Sequence, residues 1–261
     1  MLHGPEETRQ DMPEISISAE KIFSIAGFPV TNTILMGWLV VITLSLVAFI
    51  FLRRPKAVPA GIQNIFEVTV EWVLGLMDNV FGDREKSEKY FPLIATIFIF
   101  ILVSNWFGIF PILGSIGIHE ITNGHEKFVP LFRSGASDIN FTIALALISV
   151  VLIQILGVAA IGLGKYSSRF FTLKSPIASA MGILEIISEL AKMISFSFRL
   201  FGNIFAGEVL LIIIGFLVPY IAPIPFLMLE IFVGFVQALV FAMLTTVFIG
   251  IATTEHEETS H

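Results

Sequence analysis

Long uncharged, apolar runs alternate with short charged stretches along this chain. No charge occurs between Ile22 and Leu52, and residues 34–52 are apolar enough for a membrane crossing, which takes about 20 residues as a helix. Further uncharged runs cover 90–118, 139–164, 209–229 and 231–254. None alternates at period two with turns about every ten residues, so an outer-membrane barrel is excluded. The pattern predicts an all-α integral membrane protein with five membrane-crossing helical segments, in one polytopic domain over 34–254.

One segment has a different period. Within 57–82, Ile62, Ile65, Phe66, Val70, Val73, Leu76, Met77 and Val80 recur at helical spacing, while Gln63, Glu67, Glu71 and Asp78 gather on the opposite face. This is an amphipathic helix, expected either flat on the inner membrane surface or packed under a soluble partner.

Composition agrees with the pattern. The chain has 261 residues, 56% hydrophobic and only 14% charged, against about 25% charged in an average soluble protein. With 26 Phe and no Cys, a disulfide-stapled domain, a zinc ribbon and a disordered tail are excluded. A net charge of −6 argues against nucleic-acid binding. Residues 1–33 are polar and acidic without a signal-peptide pattern, and 255–261 form an acidic tail. An N-terminus outside places Arg53, Arg54, Lys56, Arg84, Lys86, Lys89, Lys165, Arg169 and Lys174 inside. Only Arg9, Lys21, Lys127 and Arg133 then lie outside, which satisfies the positive-inside rule. Two further crossings return the C-terminal tail to the inside.

The last third carries charge within apolar sequence. From 175 to 215 the one proline is Pro176, which suits a helix start. A single helix of about 41 residues would reach roughly 60 Å, against about 30 Å of hydrocarbon. It must break, protrude or tilt strongly. It bears Glu185, Glu189, Lys192, Arg199 and Glu208, and the next segment bears Glu230 and Gln237. An ionised group near the bilayer centre costs about 3 kcal/mol on insertion scales, so such groups usually face a pathway or partner. With Glu185 at zero and about 100° per residue, Glu189, Lys192, Arg199 and Asn203 share an arc of about 80°, which Ser195 widens to about 120°. Glu208 falls about 140° from zero, on another face.

Residues 215–225, with three prolines, read as the outer turn of a hairpin. Glu208 and Glu230 then lie at similar depth on its two arms, with Arg199 and Gln237 deeper. Glu185 and Glu189 fit a structural or interfacial role as readily as a functional one. Lys192 reads as snorkelling to the inner surface. Arg199 is harder to place, because a guanidinium keeps its proton and needs a carboxylate or a water-filled cavity. A carboxylate on another subunit is a natural answer.

The run Ser197-Phe-Arg199-Leu-Phe-Gly-Asn203-Ile-Phe-Ala-Gly-Glu208 closely resembles the signature of subunit a of F-type ATP synthase. The likeness extends to Gln237, Ser195, Lys192 and Glu185, to Asp138 and Asn140 opening a segment, and to Asn105. It implies a stator subunit that forms two proton half-channels against a ring of c subunits. In that role Arg199 would attract each ring carboxylate and block a direct leak, with Asn203 and Gln237 as polar neighbours. Glu208 and Glu230 would line the outer half-channel, and Glu185, Ser195 and Lys192 the inner one. Some relatives have His at position 230, and two carboxylates at one depth favour a shared proton. The resemblance further implies peripheral-stalk b subunits as partners, a tilted C-terminal hairpin over 175–254 and no cofactor. The polar N-terminus lacks transit-peptide character, which favours a bacterial plasma membrane.

Two other classes compete. A secondary transporter with its own intramembrane carboxylates predicts inverted repeats, but the intramembrane charges are confined to the last third. An intramembrane enzyme predicts a motif such as HExxH or GxSxG, and neither occurs. The run from Ala159 to Tyr166 departs from a phosphate loop at its first Gly and its Ser or Thr, so no nucleotide site is expected.

Overall fold

The computed structural model describes residues 19–25, 27–51, 61–110, 113, 115–122, 125–168, 170 and 176–254. Its helices are α1 (Asn32–Phe51), α2 (Ile62–Phe81), α3 (Arg84–Ile109), α4 (Ile139–Ile161), the short α5 (Leu163–Ser168), α6 (Pro176–Leu217) and α7 (Pro223–Thr253). All but α2 and α5 are long and apolar enough to cross a membrane, giving the five expected spans. The expected acidic tail 255–261, and residues 57–60 of the amphipathic segment, lie outside the described residues.

Helix starts follow local chemistry. The Asp83 carboxylate accepts the Glu85 N–H at 2.9 Å to cap α3, and Asp138 accepts the Asn140 N–H at 3.0 Å to cap α4. Gly82 joins α2 to α3 at φ 66°, a left-handed conformation that costs glycine nothing. Pro176 and Pro223 open α6 and α7, where a missing N–H breaks no helical bond.

Helix α6 runs unbroken for 42 residues, or about 63 Å, twice the hydrocarbon thickness. Of the three options that its length allows, breaking is not taken. The turn to α7 is tighter than 215–225, falling between Leu217 and Pro223. It includes Tyr220 at φ 80°.

Helix α7 is the centre of the bundle and packs against α2, α3, α4 and α6. Its small residues Gly234, Ala238 and Ala242 are buried and let neighbouring helices approach, the usual basis of helix association in lipid. Phe196 of α6 stacks on Phe241 of α7 with centroids 4.7 Å apart. Buried Ile94, Phe98 and Ile101 of α3 and Ile153 of α4 complete the core. Helix α2 turns Val73, Leu74 and Met77 inward and packs on α3 and α7. On its polar side Arg84 reaches Glu71, Asp78 and Glu88 at 2.8–3.0 Å.

Two antiparallel hairpins were not expected. Strands β1 (Lys21–Ile25) and β2 (Phe28–Thr31) lead into α1, within the predicted polar N-terminal segment. Strands β3 (Gly117–Thr122) and β4 (His125–Pro130) follow α3. The uncharged run 90–118 is therefore not one crossing to its end: its helix stops at Ile109, and Gly117 and Ile118 belong to β3. Apolar composition marks what lipid can cover, not where a helix ends.

Candidate functional site

The site is built on α6, whose two faces differ. Phe196, Ser197, Leu200 and Ile204 are buried against the bundle. Ser197 exchanges a 3.1 Å hydrogen bond with Thr142 of α4. On the other side Ile194 and Phe198 are more than half exposed, and Arg199 and Asn203 are exposed with them. Ser188, Ala191, Ser195, Gly202 and Ala206 are exposed too, forming a shallow strip of small side chains beside the arginine.

Among the described residues, the hydrogen bonds of Arg199 outside the helical backbone ladder are to its own helix. Its Nη2 donates to Ser195 Oγ at 3.2 Å, and Asn203 Nδ2 donates to the Arg199 carbonyl at 2.8 Å. Among the described residues no carboxylate pairs with Arg199. Of its two expected neighbours, Asn203 makes this contact. Gln237 is half-buried on α7, and no hydrogen bond joins it to Arg199.

Glu208, two turns further on, lies on the bundle side, and its partner was not foreseen. Arg133, from the segment after β4, donates to it through Nε at 3.1 Å and Nη2 at 3.4 Å. This fork is the strong geometry for a guanidinium and a carboxylate. The Arg133 side chain is only 10% exposed. Glu230 of α7 is buried and rests against α6 at Gly207, where a methyl group would overlap its carboxyl. The two carboxylates therefore do meet at one level, Glu208 from α6 and Glu230 from α7. Nothing in sequence spacing pointed to Arg133, which is 75 residues from Glu208. The close approach at Gly207 was equally hidden, although a glycine beside a membrane carboxylate is its trace.

Towards the other end of α6, Lys192 does not snorkel away from the bundle. Its Nζ pairs with Glu189 Oε1 at 2.6 Å and sits 4.7 Å from the centroid of the Phe248 ring. The second carboxylate oxygen of Glu189 is buried without a hydrogen-bond partner. Glu185 is half-buried nearby on the same helix.

The earlier polar residues stand apart from both groups. Asp138 caps α4 and also accepts the Thr33 hydroxyl at 3.1 Å, tying α4 to α1. Asn140 donates its Nδ2 to the same carboxylate at 3.2 Å. Asn105 Nδ2 donates to the Gly234 carbonyl at 3.1 Å, and Trp106 Nε1 to the Ile231 carbonyl at 3.1 Å, clasping α3 to α7 beside Glu230. Among the described residues no cluster of His, Asp or Glu could hold a metal ion.

Fold and site together define a multi-pass helical membrane protein with an arginine on an exposed helix face of apolar and small polar side chains and an acidic pair behind it. Residues 34–250 match the family model for the ATP synthase A chain. The chain is 36% identical to the chloroplastic ATP synthase subunit a of Stigeoclonium helveticum, with 94% of each chain aligned. It is 32% identical to ATP synthase subunit a of Moorella thermoacetica, over 88% of this chain and 94% of that one. For the Campylobacter jejuni subunit a the identity is 36%, over 84% and 88%. This chain belongs to the ATP synthase A chain family.

Proposed function

We propose that this subunit is the stator of a rotary proton channel, coupling transmembrane proton flow to ring rotation and ATP synthesis. The observation that carries the reading is Arg199, a permanent cation on an exposed, largely apolar face, with no carboxylate paired to it among the described residues. Burying that face in lipid alone would leave the charge unpaired, which is costly. A ring of c subunits, each presenting a carboxylate, supplies the missing charge, and the strip of small residues lets its helices come close. Protons enter by the outer half-channel past Glu208 and Glu230, reach a ring carboxylate, and leave through an inner half-channel lined by Glu185, Ser195 and Lys192. Arg199 separates the two routes because a guanidinium does not relay protons.

In this reading Asn203 and Gln237 keep the neighbourhood of Arg199 polar, while Asp138, Asn140 and Asn105 hold the helices that line the path. The N-terminus lies outside a bacterial plasma membrane and the C-terminus in the cytoplasm. The hairpin 175–254 carries the ion path, and the peripheral-stalk b subunits brace the complex. Nucleotide chemistry belongs to other subunits.

Arg199→Ala in the reconstituted synthase tests this. Coupled pumping should be lost while the complex still assembles, since Arg199 is exposed. Unchanged coupling overturns the reading.

A further inference from the structure

The acidic level behind α6 holds two carboxylates in unlike settings, although both were expected to act alike. Glu208 is gripped at two points by Arg133. Glu230 is buried and has no hydrogen-bond or ion-pair partner among the described residues. Its carboxyl occupies the gap left by the missing side chain of Gly207, one residue from Glu208. The same stretch of α7 is held in place by Asn105 and Trp106 through the Gly234 and Ile231 carbonyls. Glu208 is thus the charged group that α6 brings to Glu230, and Arg133 is the cation behind it. A forked guanidinium stabilises the ionised carboxylate and opposes its protonation.

We propose that Arg133 is a positioning residue that keeps Glu208 a fixed carboxylate, leaving Glu230 as the group that takes up and releases the proton at this level. The proton comes from water on the outer side, resides on the Glu230 carboxyl, and passes to the next acceptor inward. Arg133 and Glu208 keep their charges throughout. This rests on the channel reading above and divides the labour within it.

The test uses membrane vesicles carrying the whole synthase, with two readouts. The first is ATP-driven proton pumping. Glu230→Gln should lower it at least about tenfold and Glu208→Gln no more than about threefold. Arg133→Gln should lower it more than Glu208→Gln, because it strands a carboxylate, and the double variant Arg133→Gln/Glu208→Gln should recover to the Glu208→Gln level. The second is labelling by a membrane-permeant carbodiimide, which modifies protonated carboxyls, read by peptide mass spectrometry. Glu208 labelling should rise about fivefold in Arg133→Gln, because the carboxyl then lacks the cation that favours its charge.

If Arg133→Gln does not reach the membrane, Arg133→Lys is read instead. Its point charge lacks the fork and should raise Glu208 labelling about twofold. A Glu208→Gln loss as deep as that of Glu230→Gln, a double variant no better than Arg133→Gln, or unchanged Glu208 labelling overturns the proposal. Arg199→Ala is run alongside: if it pumps normally the channel reading itself fails, and if it does not, only the division of labour has been tested.

Discussion

Arg133 and Arg199 are the same side chain treated in opposite ways. Arg133 is nearly buried and meets the fork-shaped acceptor of Glu208 within its own chain. Arg199 is exposed among Ile194 and Phe198, with a neutral hydroxyl from Ser195 as its side-chain partner. A buried guanidinium without a counter-charge destabilises a fold by several kcal/mol, so the chain satisfies the one it buries. The one left unsatisfied points away from the core, where leaving it so costs the isolated fold little. The difference separates an arginine paired within the subunit from one that, in the function proposed above, meets a partner's charge.

The comparison breaks most sharply if Arg199 is given what Arg133 already has. Ser195→Glu places a carboxylate one turn before Arg199, the favourable order for an i, i+4 pair. The arginine would then be neutralised on its own helix and unable to attract a partner's charge. ATP-driven pumping should fall at least about tenfold, with assembly intact because the face is exposed. Pumping at the parent rate would mean that an unpaired Arg199 is not what the partner reads.

A smaller effect should follow from crowding the other side of α6. Gly207→Ala puts a methyl group where the Glu230 carboxyl lies, and the flexible carboxyl must move aside. Alanine favours a helix interior over glycine by about 1 kcal/mol, so stability should hold or rise while pumping falls about threefold. The opposite signs of the two changes make the result diagnostic. A parent-like pumping rate would show that the position of the Glu230 carboxyl does not matter.

Much of this was legible in the sequence, and the rest was hidden for physical reasons. Uncharged length located four of the five spans, because lipid tolerates few other segments, but the run 209–229 straddles the turn between α6 and α7. The proline at 176 marked the start of α6, and the run to 215 stopped two residues short of its end at Leu217. The helical wheel put Glu208 on a different face from Arg199, and the structure turns that face into the bundle. Arg133 was counted only as one outer positive charge, since a pair 75 residues apart leaves no local pattern. Lys192 was read as seeking water, yet α7 brings Phe248 to it and Glu189 lies one turn back. The hairpin β3–β4 did leave a sign: Asn123-Gly124 stands between its strands, the pair that tight hairpins favour. A search for long apolar runs passes over it.

Away from both arginines, Asp138 should affect stability without affecting coupling. Asp138→Ala removes the α4 cap and strands the buried Thr33 hydroxyl. The expected cost is about 1–2 kcal/mol, seen as a lower melting temperature of the purified subunit or complex. Pumping per assembled complex should stay at the parent level. A loss of pumping per complex would place Asp138 in the proton path and not merely beside it.

The smallest change is expected at a third arginine, which completes the series. Arg84 gathers three carboxylates, Glu71, Asp78 and Glu88, as closely as Arg133 approaches Glu208, but on an exposed surface. Ser87 and Arg84 beside it hold the Asp78 carboxyl below the usual carboxylate range. A lowered value means that the charged form is favoured in the folded state. Its contribution is therefore present above the unfolded value and lost as pH falls through the folded one. Solvent and salt screen such pairs, so Arg84→Gln should shift the melting temperature by only about a degree at neutral pH. The shift should shrink further in high salt, and in acid once Asp78 takes up its proton. A large, salt-insensitive shift would show that the α2–α3 junction depends on Arg84. Exposure would then not decide what an arginine contributes.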